Sequence, residues 1–248
     1  MKKIAFITVF TVVFALGFTT SGFAQWFVDF ENGLAVSGYN DVQIPRDTGT
    51  LFSLSEDLET DSSYFFRIRV GYHWKSRHTL SVFAAPLTLK ASGMVDEEIL
   101  FFGTAFPANT PLEAGYKFNS FRLTYRYDLI RKPKWQVGIG LTAKIRDAYI
   151  EVDGGGQNAK KTNVGFVPLL NFRILWQFHK AWGLLLEGDA AVAAQGRAED
   201  VLIALRYSLN DKVHLRAGYR IIEGGADVEE VYNFALIHFF SAGITISF

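Results

Sequence analysis

The chain runs to 248 residues, with 25 Lys and Arg against 25 Asp and Glu, so bulk charge nominates no nucleic acid as a partner. It contains no cysteine, which excludes disulfides and thiolate metal sites, yet it is 49% hydrophobic and 15% aromatic, with 23 Phe, 10 Tyr and 5 Trp. Beyond the N-terminal stretch no segment reaches the ~18 consecutive apolar residues of a transmembrane helix, so the aromatic excess calls for another explanation.

Met1-Lys2-Lys3 is a short positive segment, and Ile4 to Phe18 is a nearly unbroken apolar run. Ser21-Gly22-Phe23-Ala24 then supplies small residues before a cut between Ala24 and Gln25. The pattern predicts a cleavable signal peptide over 1–24 and one domain over 25–248.

From Trp26 onward the sequence alternates with period 2, as strands with one apolar and one polar face do. Trp26 to Ser37 sets Trp26, Val28, Phe30, Leu34 and Val36 against Asp29, Glu31, Gly33 and Ser37. Tyr64 to Trp74 opposes its aromatic and aliphatic residues with Arg67, Arg69, Gly71 and His73, and Lys75-Ser76-Arg77 turns into His78 to Lys90. Leu112 to Asp128 sets Phe121, Leu123, Tyr125 and Tyr127 against Arg122, Thr124, Arg126 and Asp128. Trp135 to Ile150 carries Lys144 and Arg146 on its polar face, and Asn163 to Phe178 carries Asn171 and Arg173. Pro168 lacks a ladder donor, which predicts a bulge or local break there. Trp182 to Val192 hides Glu187 and Asp189, Asp200 to Leu209 hides Asp200 and Arg206, and Val213 to Ile222 hides His214, Arg216 and Arg220. The connections at 75–77, 129–134, 179–181 and 210–212 read as short; those at 38–63, 91–114, 151–162, 193–199 and 223–230 read as longer. The longest, 38–63, is expected to be a lid over an opening or a further hairpin.

The last strand, Val231 to Phe248, puts Phe234, Phe240, Ala242, Ile244, Ile246 and Phe248 on one face and Asn233, Ser241, Gly243 and Thr245 on the other. It resembles the C-terminal strand of bacterial outer-membrane β-barrels, whose final residue is typically Phe. The resemblance implies an all-β, transmembrane, antiparallel up-and-down barrel of about ten strands, with eight or twelve also compatible. It further implies an outer-membrane location with both termini periplasmic, contact with outer-membrane lipids, and contact with the barrel-assembly machinery during biogenesis. The strict alternation of short and long connections agrees with this class. Parity sends His238 toward lipid, and the terminal strand overshoots one crossing, so a bulge between Phe234 and Ser241 or a projecting strand is expected.

The inward face then collects Arg67, Arg69, Arg122, Arg126, Lys144, Arg146, Arg173, Arg206, Arg216 and Arg220, facing Asp29, Glu31, Asp128, Glu187, Asp189 and Asp200 with little apolar filler. The first reading is a salt-bridged polar lumen with a structural or surface-interaction role. The alternative takes the cationic surplus as a narrow pore for an anionic solute. Catalysis by lipid A modification or surface proteolysis ranks below both. Asp147, Glu151, Asp227, Glu229 and Glu230 crowd the loop end without a His, and His238 and Ser241 lie on opposite strand faces. No catalytic, cofactor-binding or metal-binding residues are assigned. The Gly-rich 153–156 and 223–227 segments lack the strand-to-helix context of a phosphate loop, and the acidic residues at 227–230 read as solvated.

Overall fold

A computed structural model describes residues 25–248; the expected signal peptide over 1–24 lies outside the described residues. Ten antiparallel strands form a closed barrel. They are β1 (Gln25–Gln43), β2 (Ser63–Trp74), β3 (His78–Ala85, continued after a break as Thr88–Met94), β4 (Pro111–Arg131), β5 (Trp135–Gly154), β6 (Gln157–Gln177), β7 (Trp182–Ala193), β8 (Gly196–Ser208), β9 (Val213–Val228) and β10 (Val231–Ser247). Each strand pairs with the next, and β10 returns to β1 from Phe27↔Ser247 to Gln43↔Tyr232. Closure leaves no free edge along the paired wall. Pro86 and Leu87 interrupt the third strand, where the sequence predicted a continuous run to Lys90.

The outward faces form an apolar belt. Leu141, Phe166, Leu170 and Phe240 all stand exposed, as they can where lipid replaces water. At the short-turn end, aromatic pairs link neighbouring strands into a girdle: Trp26 with Tyr72 (5.0 Å), Trp135 with Trp176 (5.7 Å) and Trp182 with Tyr207 (4.6 Å). Both described chain ends lie here, joined by Trp26 N–H donating to Phe248 O at 3.1 Å.

At the other end the strands run past the belt. β5 and β6 span 20 and 21 residues, roughly twice the ~9–11 that one crossing needs. Three expected loops are therefore not loops: 151–162, 193–199 and 223–230 are mostly strand, closed by tight turns. The β5–β6 turn uses Gly155 and Gly156, whose φ values of 59° and 76° suit a left-handed pair. The predicted bulge falls on the facing strand. β10 keeps register throughout against β9, whereas β1 slips between Ser37 and Tyr39 opposite Ile237 and Leu236.

The two long connections fold inward as a lid. The 38–63 segment adds two short strands, Phe52–Ser53 on β1 and Glu59–Thr60 on β3, rather than a barrel hairpin. The second connection carries a hairpin of Ile99–Phe101 and Thr104–Phe106. Phe102 N–H donates to Ile44 O at 2.7 Å and Thr50 N–H to Leu100 O at 2.9 Å, which stitches the two together. Ile44, Leu54, Phe101 and Phe106 pack against Leu112, Val152, Ile237 and Phe239 in a buried apolar cluster. Each such side chain contributes ~1.5–3 kcal/mol of burial. The expectation of little apolar filler is thus corrected: the upper interior is an apolar core built by the lid and the strand walls together, and Leu175, Leu185, Leu202 and Ala204 add a second apolar patch.

Candidate functional site

Within the belt the lumen is filled by ions in contact. The Asp200 carboxylate accepts from Arg67, Arg122 and Arg220, and all four side chains are nearly fully buried. Arg220 also forks onto Glu31, with Nε and Nη2 donating at 2.8 Å each. Arg216 joins Glu31 (3.0 Å) to Asp29 (2.9 Å), and Arg122 reaches Asp189 at 2.6 Å. Asp189 accepts further from Thr142 Oγ1 (2.6 Å) and Asn171 Nδ2 (2.9 Å). Arg69 and Arg173 share Glu187 at 3.3 and 3.7 Å. Arg126 lies 3.6 Å from Asp128.

Strand register explains why these groups meet. Glu31, Gly243 and Arg216 stand side by side on β1, β10 and β9. A Cβ on Gly243 would fall 2.8 Å from the Arg216 guanidinium carbon, so the glycine leaves room for Arg216 to cross β10. Forked guanidiniums and carboxylates with most lone pairs occupied are the arrangement that makes buried charge tolerable. Between Arg69, Arg122, Arg126, Asn171, Glu187 and Asp189 only about 10 Å³ remains, room for about one water.

Three residues of the expected ionic cluster stand apart. Among the described residues, Lys144, Arg146 and Arg206 have no carboxylate within ion-pair distance; Arg206 instead donates to Gln177 Oε1 at 3.3 Å. Lys144 and Arg146 lie above the ionic layer and line a chamber of about 620 Å³ under the lid. The chamber's other walls come from β6 to β10, including Val167, Ala191, Ile222 and Ile237.

On the outer surface the apolar belt ends in a polar row. Tyr39 donates to Glu223, which also accepts from Arg197 Nε at 2.8 Å and Nη2 at 2.6 Å. Arg197 holds Glu223 down at about 2, while burial and the adjacent Glu223 raise Glu199 to about 7. Further out, hydrogen bonds from Lys117 hold Asp147 below its usual value and Lys160 does the same for Glu151. Glu223, Asp147 and Glu151 therefore serve outer-face ion pairs. His238 meets Tyr219 on the lipid-facing side, whereas Ser241 is buried inside, so the two do not pair.

No family model and no curated protein matches the sequence. Among solved structures, the outer membrane protease OmpT from Escherichia coli matches with a TM-score of 0.58 at 8% identity, over 92% of this chain and 99% of that one. The fold is that of a bacterial outer-membrane β-barrel. The transport unit of the Escherichia coli autotransporter AIDA-I gives a TM-score of 0.44 at 8% identity, over 94% and 92% of the two chains. Ail of Yersinia pestis gives 0.40 at 8% identity, over 90% and 98%.

For this outer-membrane barrel, sequence parity placed every cluster residue on the inward face but did not rank them by height along the strand. Lys144 lies only two positions beyond Thr142, which still donates to Asp189 in the ionic layer. Ile44, the lid residue that lines the chamber, carried no periodic signal.

Proposed function

We propose that this chain is a sealed outer-membrane barrel, its short turns and termini periplasmic, whose role is structural or surface-interacting rather than conductive. The observation that carries the reading is the ionic layer centred on Asp200, beside which the gap between Arg69, Arg122, Arg126 and Glu187 holds only about 10 Å³, capped from above by the apolar cluster to which the lid contributes. A pore needs a continuous wet path, and neither layer supports one. The strands that rise past the belt hold a polar outer face around Asp147, Glu151 and Lys160 beyond the lipid, where a partner could reach it. Single-channel recording in planar bilayers tests the proposal. The wild-type barrel should show no steady conductance, and a defined anion-selective step would replace this reading with the pore.

A further inference from the structure

The chamber above the ionic layer has a side opening. β6 is paired with β5 along its whole length, up to Gly154↔Gln157, but with β7 only from Gln177↔Gly183 to Leu170↔Ala190. Above Leu170 the β7-facing edge of β6 has no strand partner, and β7 itself ends at Ala193. Pro168, which has no amide hydrogen, stands at the split. The expected break at Pro168 is therefore one-sided, because its ladder to β5 continues through Ala143. Lipid-facing side chains flank the notch, with Phe166 68% and Val192 81% exposed. Phe166 lies about ten residues along β6 from the girdle residue Trp176, the length of one crossing. The notch thus opens at the far edge of the apolar belt.

Inside, the two walls differ. The β9–β10 side offers Ile222, Ala235 and Ile237, the β5–β6 side offers Lys144, Arg146 and Lys161, and Glu199, Glu223 and Glu230 also border the chamber. Lys144 is 4% exposed, and its ammonium faces the Phe118 ring at 4.6 Å with no carboxylate partner among the described residues. Arg146 donates to Asn163, and its buried Nε has no acceptor. Lys161 has only rim-exposed Glu230, at 3.8 Å. A buried cation without a counter-charge is costly, and an arriving anion removes that cost. The volume of about 620 Å³ falls in the usual range for small-ligand sites.

We propose that the chamber binds a single-chain amphiphile with an anionic head, the head on Lys144 and Arg146 and the tail leaving between Pro168 and Ala191 into the outer leaflet. The proposal goes beyond the sealed-barrel reading, and binding is scored separately from conductance, so either can fail alone.

Calorimetry and native mass spectrometry on the refolded protein in a neutral maltoside detergent test it. Palmitate should bind saturably, one per barrel. Hexadecanol, with the tail but no charge, and acetate, with the head but no tail, should each bind at least about tenfold more weakly, as expected for a lost charged hydrogen bond or lost apolar burial. Lys144→Met and Arg146→Met should each weaken palmitate about tenfold, and Ala193→Trp should do so by filling the mouth with both cations intact. Heat-modifiable gel mobility confirms that each variant is folded. Palmitate carrying a photoreactive group at its tail end should label residues 164–170 or 190–193. Absence of saturable binding, equal affinity for hexadecanol, unaltered affinity in all three variants, or labelling confined to other parts of the belt would each overturn the proposal.

Discussion

Asp200→Asn keeps the side chain's shape and removes one negative charge from the centre of the ionic layer. Three guanidiniums converge on this carboxylate, each with a side-chain exposure of 3–4%. Their losses differ. Arg220 keeps its fork on Glu31 at 2.8 Å, and Arg122 keeps Asp189 at 2.6 Å. Arg67 keeps the Phe83 ring at 4.9 Å but no carboxylate, since Asp200 is its sole carboxylate within ion-pair distance among the described residues. Breaking a buried pair by removing one partner costs about 3–5 kcal/mol, most of it the penalty of the charge left behind. The expected loss is therefore about 4 kcal/mol, carried mainly by stranded Arg67. Urea unfolding in lipid vesicles, followed by tryptophan fluorescence, measures it. Adding Arg67→Met should recover about half of the loss, because the double variant no longer buries an unpaired guanidinium. The exposed pair of Glu151 with Lys160 serves as a control, and Glu151→Gln should cost less than about 1 kcal/mol. A loss below about 1 kcal/mol in Asp200→Asn, or no recovery in the double variant, would refute the argument.

Glu199 sits at about 7 in the folded barrel against an ordinary 4.5, so folding favours its protonated form, and its contribution to stability declines as pH rises from 4.5 to 7. Glu223, held near 2, acts oppositely, with its contribution lost only as pH falls from 4.5 toward 2. Glu199→Gln should flatten the decline in urea midpoint between pH 5 and 8, and an unchanged slope would contradict this assignment. Phe101 is fully buried between lid and wall, so Phe101→Ala should destabilise the lid by about 3–5 kcal/mol. Limited proteolysis should then cut within 95–110 while the barrel keeps its folded gel mobility. Gly156→Val places a β-branched residue at φ 76°, which should cost about 1–2 kcal/mol in the same urea assay.

What could be read from the sequence is what alternation encodes. Lipid on one side and a crowded lumen on the other force each residue to one face, so ten strands and their inward charges stood out between Trp26 and Phe248. Beyond the lipid that contrast disappears. Asp147, Glu151, Asp153 and Lys160 face water on the outside of β5 and β6, and a strand wet on its outer face looks like a loop. The lid was hidden for another reason: Ile44, Leu54 and Leu58 are buried by tertiary docking of irregular backbone, which leaves no period to detect. Parity also carries no information about height. It grouped Lys144 and Arg146 with Arg122, although the first two line the chamber and the third lies in the ionic layer. The misplaced bulge has a simple cause, since a register strain between β1 and β10 can be relieved on either strand, and β1 takes it beside Gly38.

The β1–β10 seam joins Phe27 to Ser247, the most distant parts of the described chain. Seven of the nine other ladders link strands that follow one another closely and so can form early; this seam must wait for the largest loop to close. The ionic layer straddles it, with Asp29 and Glu31 on one side and Arg216 and Arg220 on the other. Until the seam zips, those charges remain solvated; once it zips, they desolvate together. The last pairing to form is therefore also the one that seals the lumen, so the late step of folding is expected to be abrupt, slow and sensitive to salt.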